Sequence, residues 1–395
     1  MFTIIENGEV YSPALLGKKS VLLVDDKIGK IGDVDIRAVE ALGVEYDVVD
    51  AKGCVVTPGF IDPHEHLLGG SGEEGFATQT PEITISEIVT AGITTVVGCL
   101  GADTTMKTLA GLLAKVKALK EEGLSAFMWT GGYTVPPTTI TSSVRDDIMF
   151  IDEVIGAGEI AIADERSTEP TDLEVARLAH DAFIGGMLSK KAGRVHFHVG
   201  ASEVRLQLLR DLIEKHDVRP DWLYPTHINR TDQLMREAID LARKGCFVDI
   251  DTVDEDLPQK LRFYIENYGP PERLTLSSDA SVSGPGNLYE QFRVCVADEK
   301  FNLGLILPML TANTAEALKL PLMGKLNVGK MGDLLIMDKS SLEIREVFSS
   351  GKRLVKNGKL TVAEAFLKKS NRRIDLTGEK IKAAEKGGTK NGSAK

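Results

Sequence analysis

The residues of this 395-residue chain that are best suited to chemistry are its histidines, of which there are only seven. His64 and His66 stand two positions apart and follow the segment 58–62. On a β-strand, residues i and i+2 point to the same side, so both imidazoles can reach one metal ion. His198 and His227 each stand at the end of a later segment that we predict to be a strand.

An aspartate completes this set of residues. Asp279 follows the predicted strand 274–276, and imidazole nitrogens with carboxylate oxygens are typical ligands of zinc, which in catalytic sites keeps a position open for water. An HxH pair alone is a weak signal, but here a pair, two later histidines and a final aspartate follow the order that a metal-dependent barrel hydrolase needs. We therefore predict a metal site formed by these five residues. The other histidines are predicted to be structural or surface residues: His180, His196 and His216.

The elements that must position these residues alternate regularly from about residue 58 onward. Short β-branched segments are followed by longer amphipathic patterns over roughly 250 residues, which is typical of a parallel sheet and long enough for a (β/α)₈ TIM barrel. Active sites of such barrels lie at the carboxyl ends of the strands. The predicted metal ligands stand at such ends.

Both ends of the chain have a different sequence pattern, in which short predicted strands are separated by Gly, Asp and Asn. We predict a small β-sandwich domain from residues 1–57 and 325–380, although the pattern does not show that the two ends meet. The barrel is predicted to span residues 58–324. Residues 381–395 are predicted to be a flexible basic tail, with a functional basic arm as the alternative.

Composition excludes several classes of function. The net charge of −11 disfavours nucleic acid or an anionic membrane as a partner. The chain has no apolar run of the roughly 18 residues that a transmembrane helix needs, and its first residues lack the features of a signal peptide. Four scattered cysteines without a CxxC pair favour a reducing, cytoplasmic location.

Several segments resemble a known family. Residues 59–66, GFIDPHEH, resemble the opening motif of the amidohydrolase superfamily. Further segments resemble the isoaspartyl dipeptidases (β-aspartyl peptidases) within it: GGSGEEG at 69–75, WTGGY at 129–133, DERS at 164–167, PTHINR at 225–230 and LSSD at 276–279. The resemblance extends to about residue 365. It implies a zinc-dependent dipeptidase that hydrolyses β-aspartyl dipeptides with a metal-activated hydroxide, and it suggests a homo-oligomer.

The resemblance also implies a metal-binding role for each predicted ligand. His64, His66 and Asp279 correspond to the ligands of one Zn²⁺, and His198 and His227 to those of a second, which makes two ions per subunit. A hydroxide between the ions is the implied nucleophile.

Catalytic and substrate-binding roles follow from the same resemblance. Asp279 is implied as the general acid and base, and Tyr133 as the donor to the carbonyl oxygen. The implied substrate-binding residues are Glu73 for the α-ammonium, Arg166 and Arg230 for carboxylates, and Ser283 for one carboxylate. A guanidinium suits a carboxylate because its planar fork donates two parallel hydrogen bonds.

The chain departs from the family pattern at a few positions. Glu159 stands where the family has a carboxylated lysine that bridges the metals. We predict that Glu159 ligates the metal directly, with a mononuclear site as the alternative. Glu165 stands where the family has a histidine, and Ala102 stands where it has a threonine. Both differences bear on the substrate specificity. Cys99 stands near the sequence position at which the D-aminoacylases carry a metal-bridging cysteine, but we predict that it is a small buried residue.

Two other functions stay open at this point. One is a D-aminoacylase-like or cyclic-amide amidohydrolase. The other, less favoured because the histidines and the aspartate are all present, is a non-catalytic scaffold on the same fold.

Overall fold

The computed structural model of the protein describes residues 2–70, 72–299, 301–368 and 370–371. The predicted tail, residues 381–395, lies outside the described residues. Within them, no helix combines the length and the apolar character needed to cross a membrane.

The first part of the chain forms short strands and a short helix. These elements are β1 (Phe2–Glu6), β2 (Glu9–Tyr11), β3 (Leu15–Lys18), β4 (Ser20–Val24), β5 (Lys27–Gly32), α1 (Ile36–Glu40), β6 (Tyr46–Asp50) and β7 (Cys54–Pro58).

The middle of the chain alternates strand and helix. The strands are β8 (Phe60–Glu65), β9 (Ile93–Gly98), β10 (Ser125–Thr130), β11 (Val154–Ile162), β12 (Val195–Val199), β13 (Leu223–Thr226), β14 (Val248–Asp251) and β15 (Leu274–Ser277). The helices that follow them in turn are α2 (Ile85–Thr90), α3 (Leu109–Glu122), α4 (Val144–Phe150), α5 (Asp172–Ser189), α6 (Gln207–Lys215), α7 (Asp232–Arg243), α8 (Leu257–Glu266) and α9 (Gly286–Arg293).

These strands form a parallel barrel. In the described part of the chain, β8 to β13 hydrogen-bond side by side in chain order, and β14 pairs in parallel with β15. A parallel bridge between Glu65 and Ala280 joins the ends of the first and last barrel strands. The predicted (β/α)₈ barrel is therefore confirmed, and all strand carboxyl ends lie at one end of it.

Helix α3 illustrates why the sequence forms these elements. Thr108 caps its start by accepting the backbone N–H of Gly111 at 3.1 Å, and Gly123 ends it with a φ of 117°. A left-handed residue at this position favours glycine. The buried side chains recur every three or four residues and so face the barrel strands: Leu109, Leu112, Val116 and Leu119.

The last part of the chain returns to β structure after two short helices. Its elements are α10 (Leu303–Ile306), α11 (Ala312–Ala317), β16 (Leu334–Asp338), β17 (Ile344–Ser349), β18 (Lys352–Lys356) and β19 (Lys359–Leu360).

Strands from both ends of the chain share one sheet. Its order is β19-β18-β17-β16-β7-β2-β3, and β16 runs antiparallel to β7 with Ile336 opposite Val56. A second sheet, β5-β4-β1-β6, packs on it through apolar side chains such as Ile5 and Leu23 against Val56 and Phe348. The result is a small β-sandwich beside the barrel.

The sandwich continues directly into the barrel through Gly59, which joins β7 to β8. The backbone N–H of Gly59 donates to the carbonyl of Asp333 at 3.0 Å. A Cβ at this position would lie 2.2 Å from Oγ1 of Thr94, so only glycine fits. The β-sandwich therefore holds the start of the strand that carries the HxH pair.

Asp333 has an unusual environment at this junction. Its side chain is buried, and Oδ1 accepts the backbone N–H of Ser350 at 2.6 Å. Oδ2 is also buried and finds no hydrogen-bond partner among the described residues. Burial raises the pKa of this carboxyl to about 7.

We expect Asp333→Asn to stabilise the protein more at pH 8 than at pH 5. The unfolded chain releases this proton at about pH 4, whereas the folded protein keeps it until about pH 7. The free energy of unfolding therefore falls as the pH rises between these values. Asparagine does not titrate in this range, so Asp333→Asn avoids this decrease in the free energy of unfolding, which is about 1–4 kcal/mol at pH 8. Thermal unfolding of both proteins at the two pH values measures it; equal stability at pH 8 would contradict the expectation.

Candidate metal centre and binding cavity

The predicted metal ligands converge at the carboxyl end of the barrel. They stand in or directly after the strands as follows: His64 in β8, His66 after it, Glu159 in β11, His198 in β12, His227 after β13 and Asp279 after β15. All are buried except Asp279, whose side chain is 16% exposed and faces the cavity above the centre.

The HxH pair faces two carboxylates. Nε2 of His64 lies 3.3 Å from Glu159 Oε2 and 3.4 Å from Asp279 Oδ1. Nε2 of His66 lies 3.5 Å from Glu159 Oε1 and 3.1 Å from Asp279 Oδ1. Two imidazole nitrogens and two carboxylates therefore surround one point.

The other two histidines approach the same glutamate, at the oxygen that His64 also faces. His198 approaches Oε2 of Glu159 with Nδ1 at 3.3 Å, and His227 approaches it with Nε2 at 3.7 Å. Among the described residues, the donor atoms form two groups, and within each group all atoms lie within 4.8 Å of one another. The first donor group is His64, His66, Cys99 and Glu159, and the second is Glu159, His198 and His227. Glu159 is therefore the carboxylate that the two donor groups share.

The donor atoms of this centre fit a divalent metal. Both ring nitrogens of His64, both oxygens of Glu159 and Nε2 of His227 are buried without hydrogen-bond partners among the described residues. Buried polar atoms without partners are unfavourable, and coordination to a cation would satisfy these. Imidazole and carboxylate donors are those that zinc and similar ions prefer. The described residues are therefore positioned to bind a divalent metal.

The charges within the centre favour the ligand form of Glu159. Burial alone would raise the pKa of this carboxyl, but His64 and His198 hold it well below its usual range. Burial likewise would lower the pKa of His64, and Glu159 raises it well above its usual value. Glu159 is therefore ionised, which is the form that binds metal.

Local backbone conformation and a hydrogen bond aim two of these side chains. His227 and Asp279 have φ values of 61° and 47°, in a region that residues with a Cβ seldom occupy. Such strained residues cluster at functional sites. Nδ1 of His227 also lies 2.8 Å from Oδ2 of Asp251, which leaves Nε2 facing Glu159.

A cavity of about 210 Å³ opens above the centre. Its wall includes side chains that could bind a substrate and side chains of the centre itself: Glu73, Tyr133, Arg166, His198, Arg230 and Asp279. The hydroxyl of Tyr133 lies 2.7 Å from Nδ1 of His198. Burial raises the pKa of Tyr133 well above its usual value, so the hydroxyl keeps its proton and can donate it in a hydrogen bond.

The predicted substrate-binding charges form a chain along this wall. Arg166 donates to Glu73 at 2.7 Å and makes a two-point contact with Asp164 at 2.8 and 2.9 Å. Arg230 lies 3.3 Å from the same aspartate. Ser281, rather than Ser283, lines the cavity, and the hydroxyl of Ser283 is buried without a described partner.

Some residues that contact the centre are not predicted as ligands by the sequence. Cys99 is buried, as predicted, and its sulfur also lies 3.9 Å from Nδ1 of His66 and belongs to the first donor group. Asp251 ends β14, so its strand-end position was the signal that could have identified it. Asp164 was noticed only as part of a motif.

The chain matches the amidohydrolase family over residues 47–164 and again over residues 222–359. A crystal structure of beta-aspartyl dipeptidase from Fervidobacterium islandicum AW-1 in complex with beta-Asp-Leu dipeptide is 37% identical, with a TM-score of 0.86, and the alignment covers 92% of this chain and 99% of that one. A second structure of that dipeptidase is 39% identical, with a TM-score of 0.87 and the same coverage.

Curated relatives match over shorter stretches. Imidazolonepropionase of Geobacillus thermodenitrificans is 38% identical over 90 residues, which are 22% of this chain and 19% of that enzyme. The chain thus spans less than two thirds of the length of the curated relatives that it matches first.

Proposed function

The chain belongs to the amidohydrolase family, and from that membership we propose that it is a metal-dependent dipeptidase that hydrolyses β-aspartyl (isoaspartyl) dipeptides. A β-aspartyl dipeptide carries an α-ammonium and two carboxylates. One observation carries the proposal: Glu73, Arg166 and Arg230 offer the complementary charges on the cavity wall directly above the metal centre. The similarity to the dipeptidase of F. islandicum supports it.

We propose two zinc ions as the metal. The first would be held by His64, His66 and Asp279, the second by His198 and His227. The position of Glu159 in both donor groups supports its role as the bridge. When bound, such ions lower the pKa of a water molecule and polarise the scissile carbonyl.

The side chains of the cavity would perform the remaining steps. Arg166 and Arg230 would hold the carboxylates of the substrate, and Glu73 its ammonium group. Tyr133 would donate a hydrogen bond to the carbonyl oxygen as negative charge develops there. Asp279 would take a proton from the attacking water and pass it to the nitrogen of the leaving amino acid.

A substrate comparison with zinc-loaded protein tests this function. We expect rapid hydrolysis of β-Asp-Leu and little or no hydrolysis of α-Asp-Leu, of N-acetyl amino acids and of cyclic amides. Preference for an N-acetyl amino acid would instead support a D-aminoacylase-like activity. A protein that hydrolyses none of them would contradict the proposal.

Removal of either arginine should weaken substrate binding. We expect Arg166→Met or Arg230→Met to raise KM for β-aspartyl dipeptides more than 10-fold. Loss of a charge-assisted contact in a partly buried site costs about 1.5–3 kcal/mol, or about 10- to 150-fold. Steady-state kinetics measure the effect, and the assignment is wrong if neither variant changes kcat/KM. Arg219→Met is the control, because Arg219 is exposed and pairs only locally with Asp221.

Four further features of the protein remain predictions from its sequence: the domain boundaries, the role of Ser283, the homo-oligomeric state and the cytoplasmic location. Light scattering of the purified protein would test the oligomeric state.

A further inference from the structure

Asp164 is a carboxylate with a largely enclosed side chain, and it contacts both the metal centre and the substrate-binding arginines. Its side chain is only 7% exposed. Besides its two-point contact with Arg166, Oδ2 lies 3.0 Å from Nε2 of His198 and 3.3 Å from Nη1 of Arg230. A single carboxylate thus contacts one predicted metal ligand and both arginines.

The contacts at Nε2 of His198 cannot all be hydrogen bonds at the same time. Arg166 and Arg230 point donors at this nitrogen from 2.9 and 3.2 Å, while Asp164 offers an acceptor at 3.0 Å. A ring nitrogen either carries a proton and donates or has a lone pair and accepts. The protonation of Nε2 therefore decides which partner it keeps.

The role of the other ring nitrogen, Nδ1, determines whether Nε2 carries the proton. Nδ1 of His198 points into the centre, 3.3 Å from Oε2 of Glu159 and 2.7 Å from the hydroxyl of Tyr133, so it is the atom that would bind the metal. With its lone pair used there, the neutral ring must carry its proton on Nε2 and donate to Asp164. The donors of Arg166 and Arg230 then lose His198 as an acceptor and become available to a carboxylate.

We propose that Asp164 is a positioning residue that couples metal binding at His198 to the capture of substrate carboxylates by Arg166 and Arg230. It fixes the His198 tautomer with Nδ1 free for metal, and it holds both guanidinium groups beside the cavity. The proposal rests on the proposed function and adds a residue that does not itself line the cavity.

Asp251 provides a matched comparison. Its Oδ2 lies 2.8 Å from Nδ1 of His227, the same type of contact on the neighbouring histidine. Its Oδ1 accepts the backbone N–H of Val253 at 3.1 Å and so supports a loop instead of the arginines. Asp251→Asn should therefore disturb one metal ligand without disturbing the carboxylate-binding groups.

The experiment compares Asp164→Asn with Asp251→Asn by two measurements. Zinc affinity is measured by competition with a chromophoric chelator, and we expect both variants to bind the ion assigned to His198 and His227 about 10- to 100-fold less tightly. KM for β-Asp-Leu is measured in zinc-saturated protein, and we expect it to rise about 10-fold or more only in Asp164→Asn. Asp164→Ser serves as the second variant if the first does not fold.

Each half of the proposal has an outcome that would overturn it. Unchanged zinc affinity in Asp164→Asn would mean that the carboxylate does not orient His198. An equal KM in both variants would mean that it does not hold the arginines. A wild-type protein that binds zinc but hydrolyses no β-aspartyl dipeptide would overturn the proposed function and the substrate half, while the zinc titration would still decide the other half.

Discussion

Glu159→Gln is expected to reduce the zinc content from two ions per chain to one or none and to lower kcat for β-aspartyl dipeptides by about 1,000-fold. Both buried oxygens of Glu159 face imidazole nitrogens at 3.3 to 3.7 Å. A neutral amide offers one weak donor atom and no charge to offset the two proposed cations, so the centre would lose the proposed bridge. A 1,000-fold loss corresponds to about 4 kcal/mol of transition-state stabilisation.

Elemental analysis and steady-state kinetics of the same preparations test this expectation. Glu153→Gln is a suitable control, because Glu153 precedes β11 at the opposite end of the strand and pairs with Lys120. Apoprotein should also regain activity with zinc equally well with and without bicarbonate, since a glutamate needs no carboxylation. Unchanged zinc content and rate in Glu159→Gln, or dependence on bicarbonate, would contradict the bridging role.

The second large effect is expected at Asp279. Asp279→Asn should lower kcat by about 10²- to 10⁴-fold, the usual contribution of a general acid–base group. The carboxylate contacts both histidines of the HxH pair, and an amide can neither accept the proton of water nor pass it to an amine. His64→Asn should likewise bring activity close to background through loss of a ligand.

The test measures kcat at saturating β-Asp-Leu in buffer that contains zinc, together with the zinc content of each variant. Asp240→Asn is the control, since this side chain is exposed and pairs with Arg243 on α7. Full activity in protein that elemental analysis shows to be free of metal would refute the role of this centre.

The main features of the barrel and its centre could be predicted because they follow from short-range periodicity. The strand–helix alternation predicts a parallel barrel, and a barrel brings all strand ends together, so residues such as His64 and His227 could be grouped from their positions alone. His196 stands two residues before His198 on the same strand and is predicted to be structural rather than a metal ligand. That ring instead stacks on Trp129 and lies near the carbonyl of Tyr224.

Other features depend on geometry that a linear pattern does not contain. Glu159 lies inside β11, which begins at Val154. The first half of this strand contains Gly156 and Gly158, and glycine is depleted in strands, so the sequence pattern does not reveal it. Ser281 lines the cavity in preference to Ser283 through the path of a loop that has no periodicity. The roles of Asp164 and Cys99 depend on side-chain directions across neighbouring strands, which sequence spacing does not define.

The antiparallel pairing of β7 with β16 has a consequence for synthesis of the chain. The ribosome synthesises the amino-terminal strands first. β7 therefore stays unpaired until β16 has been made, which follows the synthesis of nearly the whole barrel. Contacts between such distant segments form late because a long loop must close first. The junction at Gly59, which holds the strand of the HxH pair, is therefore completed only after β16 has been synthesised. Chains that lack β16 would carry the histidines without the support that aligns them, and zinc capture would depend on the synthesis of this strand.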